Sequence, residues 1–159
     1  MKKILITVAA LILTACGFHL KGHDGLLGTL PYQSWYVGGV EIMQLPMEKA
    51  LLRADGRRVS PSDAQAAIMI TDLQTRRDIY TITRAADINE YLLILRVEAQ
   101  AAVDGKAFGA PIQVVVERKM DFADSEVLGK QEEEATIWSE MRADAADQIV
   151  QRLMFLKAR

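Results

Sequence analysis

The chain of 159 residues is 50% hydrophobic and 25% charged and has a formal net charge of -2, which is the composition of one ordinary folded domain. Because 19 Lys and Arg nearly balance 21 Asp and Glu, the chain has no overall basic field of the kind that draws a protein onto nucleic acid. A single cysteine excludes an internal disulfide, and two histidines near the start, His19 and His23, are too few for a Cys/His metal site.

The N-terminal residues have the pattern of an export signal. A short positive segment at residues 1–3 precedes an almost unbroken apolar run at residues 4–12, which is shorter than the ~20 residues that a transmembrane helix needs. Residues 13–16, Leu-Thr-Ala-Cys, resemble the lipobox of bacterial lipoproteins, in which cleavage before the cysteine accompanies acylation of its thiol. We therefore predict a signal peptide at residues 1–15 and lipid attachment at Cys16. The alternative is a secretory signal whose cysteine is incidental.

The residue directly after the predicted lipid-attachment cysteine indicates where such a lipoprotein goes. An Asp at that position usually keeps a proteobacterial lipoprotein in the inner membrane, but this chain has Gly17. This predicts the outer membrane, with the folded part in the periplasm or inside an outer-membrane partner. Residues 16–31 are rich in glycine and have no apolar period, so they are predicted to form a lipidated tether. Residues 32–159 are predicted to form a single domain.

The segment after the tether predicts a strand, a short helix and a second strand. Residues 35–42 favour a strand, in which two adjacent glycines indicate a bulge or a close backbone approach. From Pro46, which suits a helix start, apolar residues recur at helical spacing as far as Ala54. Another strand is predicted from Ala66 towards Tyr80, where threonines and other β-formers follow an apolar run.

The remainder of the chain predicts a hairpin and a long helix. Residues 91–100 are the clearest strand, because Tyr91, Leu93, Leu95, Val97 and Ala99 alternate along one apolar face. A turn at residues 104–106 leads to a partner strand at residues 112–122, and residues 125–155 follow a 3.6-residue apolar period. This order predicts an α+β fold, a two-layer sandwich of a four-stranded, mostly antiparallel sheet packed against two helices.

The sequence contains no set of residues suited to catalysis. Both histidines lie on the predicted tether and Cys16 is committed to lipid, so a nucleophile with a positioned base is missing. The acidic run at residues 132–134 is typical of a solvated helix face, and no glycine-rich phosphate loop is present. We expect a protein that is not an enzyme and that needs no cofactor and no metal.

Basic residues are spread over the strand region and its turns: Arg57, Arg58, Arg76, Arg77, Arg84, Arg96, Arg118, Lys119 and Lys130. Ordinary surface charge would account for any one of them. Together they would allow a local cationic patch on a mildly acidic domain. Arginine forks match phosphates and carboxylates, so such a patch on a lipoprotein favours an anionic lipid or glycolipid as its ligand.

Several short motifs carry a family resemblance. Residues 16–22 read Cys-Gly-Phe-His-Leu-Lys-Gly, directly after the predicted lipobox. Further motifs lie at residues 89–93, 117–118, 128–130, 133–134, 140–142, 144–146 and 148–153. In their order and spacing these motifs resemble the opening, the third and fourth strands and the C-terminal helix of the LPS-assembly lipoprotein LptE family.

The resemblance implies a two-layer α/β fold and a function without catalysis. In this family the lipoprotein sits as a plug within the large outer-membrane barrel LptD, supports its assembly and helps to deliver lipopolysaccharide to the cell surface. A rival hypothesis is an outer-membrane lipoprotein that acts alone as a periplasm-facing binding or inhibitor module.

The resemblance also implies two residues that contact lipopolysaccharide. Family members have an Arg in the loop before the Glu-Tyr strand and a Lys near the start of the last helix, and Arg84 and Lys130 occupy those places. We expect the two to approach one another at one tip of the domain, where they would present cations to the phosphates of lipid A.

Overall fold

The structure, a computed structural model, describes residues 29–84, 88–122 and 127–157. Within them the chain forms, in order, β1 (Ser34–Gly39), a 3₁₀ turn (Glu41–Met43), α1 (Gln44–Arg53), β2 (Arg57–Arg58), β3 (Ala66–Ile82), β4 (Ile88–Val103), β5 (Lys106–Ala107), β6 (Ile112–Asp121) and α2 (Val127–Met154). The predicted signal peptide at residues 1–15, Cys16 and most of the predicted tether lie outside the described residues.

The described strands form one mixed sheet in the order β2-β1-β3-β4-β5, with β6 also paired to β4. β3 and β4 are an antiparallel hairpin and β6 is antiparallel to β4, whereas β1 is parallel to both β2 and β3. The α+β class with two helices and a mostly antiparallel sheet is therefore confirmed, but the described sheet has six strands rather than the four predicted, and two of its pairings are parallel. β2 and β5 have two residues each, so their sequences carry no periodic pattern from which strands could be predicted. After β1 the chain crosses over through α1, and β2 therefore runs parallel to β1.

The predicted elements are confirmed with shifted ends. α1 begins at Gln44 rather than at Pro46, because proline is tolerated throughout the first helical turn, where its missing N–H has no partner to lose. The strand predicted at residues 91–100 extends in both directions, and its partner and the long helix lie within two residues of their predicted bounds.

One hydrophobic core fills the space between the sheet and the two helices. Leu93, Leu95 and Val97 of β4 are fully buried, as their alternation predicted. The helices contribute buried side chains on one face each: Met47, Ala50 and Leu51 from α1, and Met141, Ala145, Ala146, Ile149, Val150 and Leu153 from α2. Leu30 also belongs to this core, so the packed domain begins by residue 30, inside the segment predicted as tether.

Candidate functional site

Strands β3, β4 and β6 extend beyond the end of β1. β1 pairs with β3 only as far as Ile70, while β3 continues to Ile82, a distance of about 40 Å at ~3.3 Å per strand residue. Towards this end the buried side chains of β4 stop at Leu93. Beyond Ile70, β3 pairs with β4 alone among the described strands. This part of β3 carries more exposed side chains than the part that packs against the core.

The end of β3 exposes three large apolar side chains. Ile79, Tyr80 and Ile82 are all exposed, and Ile82 reaches 61%. The pairing register with β4 shifts twice between Ile79 and Ile82, so a β-bulge turns side chains here out of the alternation that the rest of the strand follows. Three large apolar side chains exposed within four residues make the end of β3 a candidate interaction site.

Cationic side chains lie beside this apolar cluster. Arg84 follows β3 in an exposed turn. Lys119 of β6 places its Nζ atom 4.1 Å from the centre of the Tyr80 ring, a cation–π contact. The contact with the Tyr80 side chain raises the pKa of Lys119 above its ordinary value of 10.5, so the ammonium is charged at neutral pH. We call Ile79, Tyr80, Ile82, Arg84 and Lys119 the tip surface.

The structure places Lys130 at the same end of the domain as Arg84. β6 ends with Asp121 opposite Glu90, next to the hairpin end, and α2 begins at Val127. Lys130 lies in the first turn of α2, where its side chain is only 18% exposed and its Nζ atom pairs with Glu133 Oε2 at 2.8 Å. The topology thus brings the two predicted site residues to one end, and their approach to one another stays a prediction.

The basic residues do not form a single cationic patch. Most of them are paired with carboxylates at separate places: Arg58 with Glu48, Arg76 with Asp78, Arg77 with Glu134, and Arg118 with Asp144. On the sheet face away from the helices, Arg76 and Arg96 border a shallow depression of about 100 Å³. That is below the ~300 Å³ at which small-molecule pockets begin, so we assign it no ligand.

The apolar half of the tip surface was missed by the sequence analysis. The strand predicted from Ala66 towards Tyr80 carried no expectation that large apolar side chains at its end would be exposed. Ile79, Tyr80 and Ile82 are exposed, and the pairing register with β4 shifts twice along this part of β3. The available signal was the position of three large apolar residues just before the loop that carries Arg84.

Residues 29–84, 88–122 and 127–157 offer neither a membrane-spanning helix nor a metal site. No helix in these ranges combines the length and the hydropathy that crossing a membrane requires. The same residues contain no cluster of three or more side chains able to hold a metal ion.

The fold matches that of solved bacterial lipoproteins. The solution structure of uncharacterized lipoprotein B from Nitrosomonas europaea superposes with a TM-score of 0.68, covering 87% of this chain and 90% of that one at 22% identity. The chain therefore has the same α+β fold as that domain. Its residues 40–153 match the model of one family in particular, LptE, described as Lipopolysaccharide-assembly, and the chain belongs to that family.

Two named relatives agree with this assignment. LPS-assembly lipoprotein LptE of Yersinia enterocolitica is 27% identical over 172 aligned residues, which cover 98% of this chain and 76% of the relative. LPS-assembly lipoprotein LptE of Pectobacterium atrosepticum is 27% identical over 156 residues, covering 95% and 83%. The family resemblance predicted from the short motifs is thus confirmed.

Proposed function

We propose that the chain is an outer-membrane lipoprotein that forms a complex with an LptD-type β-barrel, acts as its plug and assembly factor, and binds lipopolysaccharide during delivery to the outer leaflet. The observation that carries this proposal is the match to the lipopolysaccharide-assembly family, which spans α1, β2 to β6 and all but the last residue of α2. The chain acts by binding, not by catalysis, and takes no cofactor. Its anchor is a lipid on Cys16, ahead of the domain.

The tip surface has the chemistry that a glycolipid requires. Burying an exposed Ile79 or Ile82 against acyl chains stabilises a complex by about 1.5–3 kcal/mol per side chain. Arg84 lies within a few residues of them, and its guanidinium suits a bidentate contact with phosphate. Lys130 joins this contact by exchanging Glu133 for a phosphate oxygen. Lipid A combines acyl chains and phosphates in one molecule, which fits both halves of the surface.

Co-purification tests the barrel partnership. The lipidated protein, expressed at its native level, is extracted from outer membranes in mild detergent and captured by a C-terminal tag. We expect an LptD-type barrel to elute with it in equal amounts. Elution as a lone monomer would overturn the plug proposal and would favour the stand-alone periplasm-facing binding or inhibitor module.

A direct binding assay tests the glycolipid site. The variant Arg84→Glu/Lys130→Glu should bind purified lipopolysaccharide more weakly than the wild type, and the difference should grow at low salt, where charges are less screened. The matched control is Arg57→Glu/Lys106→Glu, which makes the same change of charge in β2 and β5, at the opposite end of the sheet. Equal binding by the tip variant and the control would reduce Arg84 and Lys130 to surface charge.

A further inference from the structure

The long helix α2 contacts the sheet differently along its two halves. Its C-terminal half, from Met141 onward, supplies all of the described α2 side chains that are buried in the core. From Lys130 to Glu140 every described side chain is exposed or half-buried, and only Ile137 and Trp138 pack against the core from its edge. Apolar burial therefore holds the second half of the helix, and other contacts must hold the first half.

Those contacts centre on Arg77 of β3. Arg77 lies opposite Leu93, on the sheet face that packs against the helices, so its charge points towards α2. Its Nη1 atom is 2.9 Å from Oε2 of Glu134 in the first half of α2. Its guanidinium carbon also lies 4.8 Å from the centre of the Tyr91 ring. The Arg77 side chain is about half exposed, so both contacts are made at the edge of the interface between β3 and α2.

Glu134 is held from both sides. Its Oε1 atom accepts a hydrogen bond of 3.1 Å from the indole Nε1–H of Trp138, one helical turn further along, while Oε2 pairs with Arg77. The carboxylate is thereby fixed in one orientation over the hairpin. We call Arg77, Tyr91, Glu134 and Trp138 the clasp.

The clasp lies next to the proposed glycolipid site. Lys130 precedes Glu134 by four residues, which is one turn of the helix and about 6 Å along its axis. Arg77 precedes Arg84 by seven residues on the strand that leads into the Arg84 turn. The contact between Arg77 and Glu134 therefore also determines the position of Lys130 relative to the end of the hairpin.

We propose that Arg77 and Glu134 are positioning residues for the tip: the pair holds the first half of α2 on the hairpin, so that Lys130 and Arg84 meet one ligand together. Neither residue of the pair touches the ligand. This inference rests on the proposed binding of lipopolysaccharide at the tip and adds to it a determinant that lies outside the contact surface. An ion pair with this degree of exposure shifts an equilibrium by up to about fivefold, which sets the expected size of its effect.

The test compares four variants of the full-length lipidated protein in its barrel complex. Arg77→Gln and Glu134→Gln each break the pair, and Arg77→Glu/Glu134→Arg restores it with the charges exchanged. The matched control is Arg76→Gln, because Arg76 is the adjacent residue on the opposite sheet face and pairs with Asp78 inside the hairpin. The readouts are binding of purified lipopolysaccharide, hydrogen exchange of the amides of residues 131–140 and the midpoint of thermal unfolding.

We expect each single variant of the pair to weaken lipopolysaccharide binding by about two- to fivefold and to speed amide exchange in residues 131–140 by a similar factor. The thermal midpoint should match that of Arg76→Gln, because the core half of α2 is untouched. The exchanged pair should recover both binding and protection. That recovery separates positioning from direct contact, since a glutamate at position 77 would repel a phosphate.

Two results would overturn the inference. Binding by Arg77→Gln and Glu134→Gln equal to that of Arg76→Gln would show that the pair has no effect on the site. Loss of binding in Arg77→Gln alone, without recovery in the exchanged pair, would show that Arg77 is itself a ligand contact. In either case, weakened binding by Arg84→Glu/Lys130→Glu would still support the proposed glycolipid function. Unchanged binding by that variant would contradict both the proposed function and the positioning role of the clasp.

Discussion

Gly39 at the end of β1 lies so close to Ile70 of β3 that a Cβ atom on Gly39 would overlap the Ile70 carbonyl oxygen. Gly39 also has a positive φ of 87°, which side-chain-bearing residues rarely adopt. The predicted close backbone approach is found here, where β1 leaves the sheet and the N–H of Val40 donates to the same carbonyl at 3.3 Å.

Gly39→Ala should therefore destabilise the domain by at least about 2 kcal/mol, because the variant meets both the unfavourable φ and the overlap with Ile70. Chemical denaturation measures the change in the free energy of unfolding. Gly105→Ala is the control, since Gly105 has a positive φ of 72° but open space where its Cβ would stand. It should cost about 1 kcal/mol. Equal costs for the two variants would contradict the role given to the contact with Ile70.

Cys16→Ser should prevent acylation and release the domain from membranes without changing its stability, because Cys16 belongs to the predicted tether and the core of the described residues does not depend on it. Labelling with a radioactive fatty acid and fractionation of membranes measure the two effects. Unchanged label on the variant would rule out Cys16 as the lipid attachment site.

Leu153→Ala should destabilise the domain by about 2–5 kcal/mol, because Leu153 is fully buried at the end of α2 and its loss leaves a cavity. Phe155→Ala, only two residues further on, should change the free energy of unfolding by less than about 0.5 kcal/mol, since Phe155 is 79% exposed. Both are measured by denaturation, and the level of the barrel in the outer membrane is followed alongside. Normal barrel levels after removal of all residues beyond Trp138 would mean that the helix is not needed for the plug.

Ile79→Ser/Ile82→Ser should leave the free energy of unfolding within about 0.5 kcal/mol of the wild type, because both side chains are already exposed. The same variant should bind lipopolysaccharide more weakly through loss of the acyl-chain contact. Ile42→Ser is the control, since Ile42 is a similarly exposed isoleucine in the turn before α1. If the control and the tip variant bind equally well, the apolar half of the tip surface plays no part in binding.

The contribution of Lys119 to the free energy of unfolding should be independent of pH across the neutral range. Contact with Tyr80 raises the pKa of Lys119 in the folded protein, so its stabilisation is fully present below the unfolded pKa of 10.5 and is lost as the pH rises through the folded value. The difference in unfolding free energy between the wild type and Lys119→Met should be constant from about pH 6 to 9 and shrink above 10.5. A change in that difference between pH 6 and 8 would point to another titrating group.

Periodic apolar patterns made the fold predictable, and short or irregular elements made its details unpredictable. Leu93, Leu95 and Val97 could be assigned to the buried face because alternation in a strand does not depend on which strand pairs with it. β2 and β5 could not be assigned, because two residues carry no period and their pairing depends on distant strands.

The candidate site was predictable only in part. Arg84 and Lys130 were placed at element ends by the family resemblance, and the structure puts them at one end of the domain. The exposure of Ile82 depends on a bulge, which an unaligned sequence does not reveal. Arg76 and Arg77 are adjacent and identical in type, so the sequence alone does not show that Arg77 faces the helix.

The hairpin beyond Ile70 also bears on how the protein avoids association with itself. Past that residue β3 has no described strand on its outer edge, so a row of backbone N–H and C=O groups is open to pairing with another chain. Three consecutive charged residues, Arg76, Arg77 and Asp78, interrupt this edge, and the bulge that follows bends it away from a flat template. The charges and the irregular end of β3 thus oppose edge-to-edge pairing between two copies of the chain.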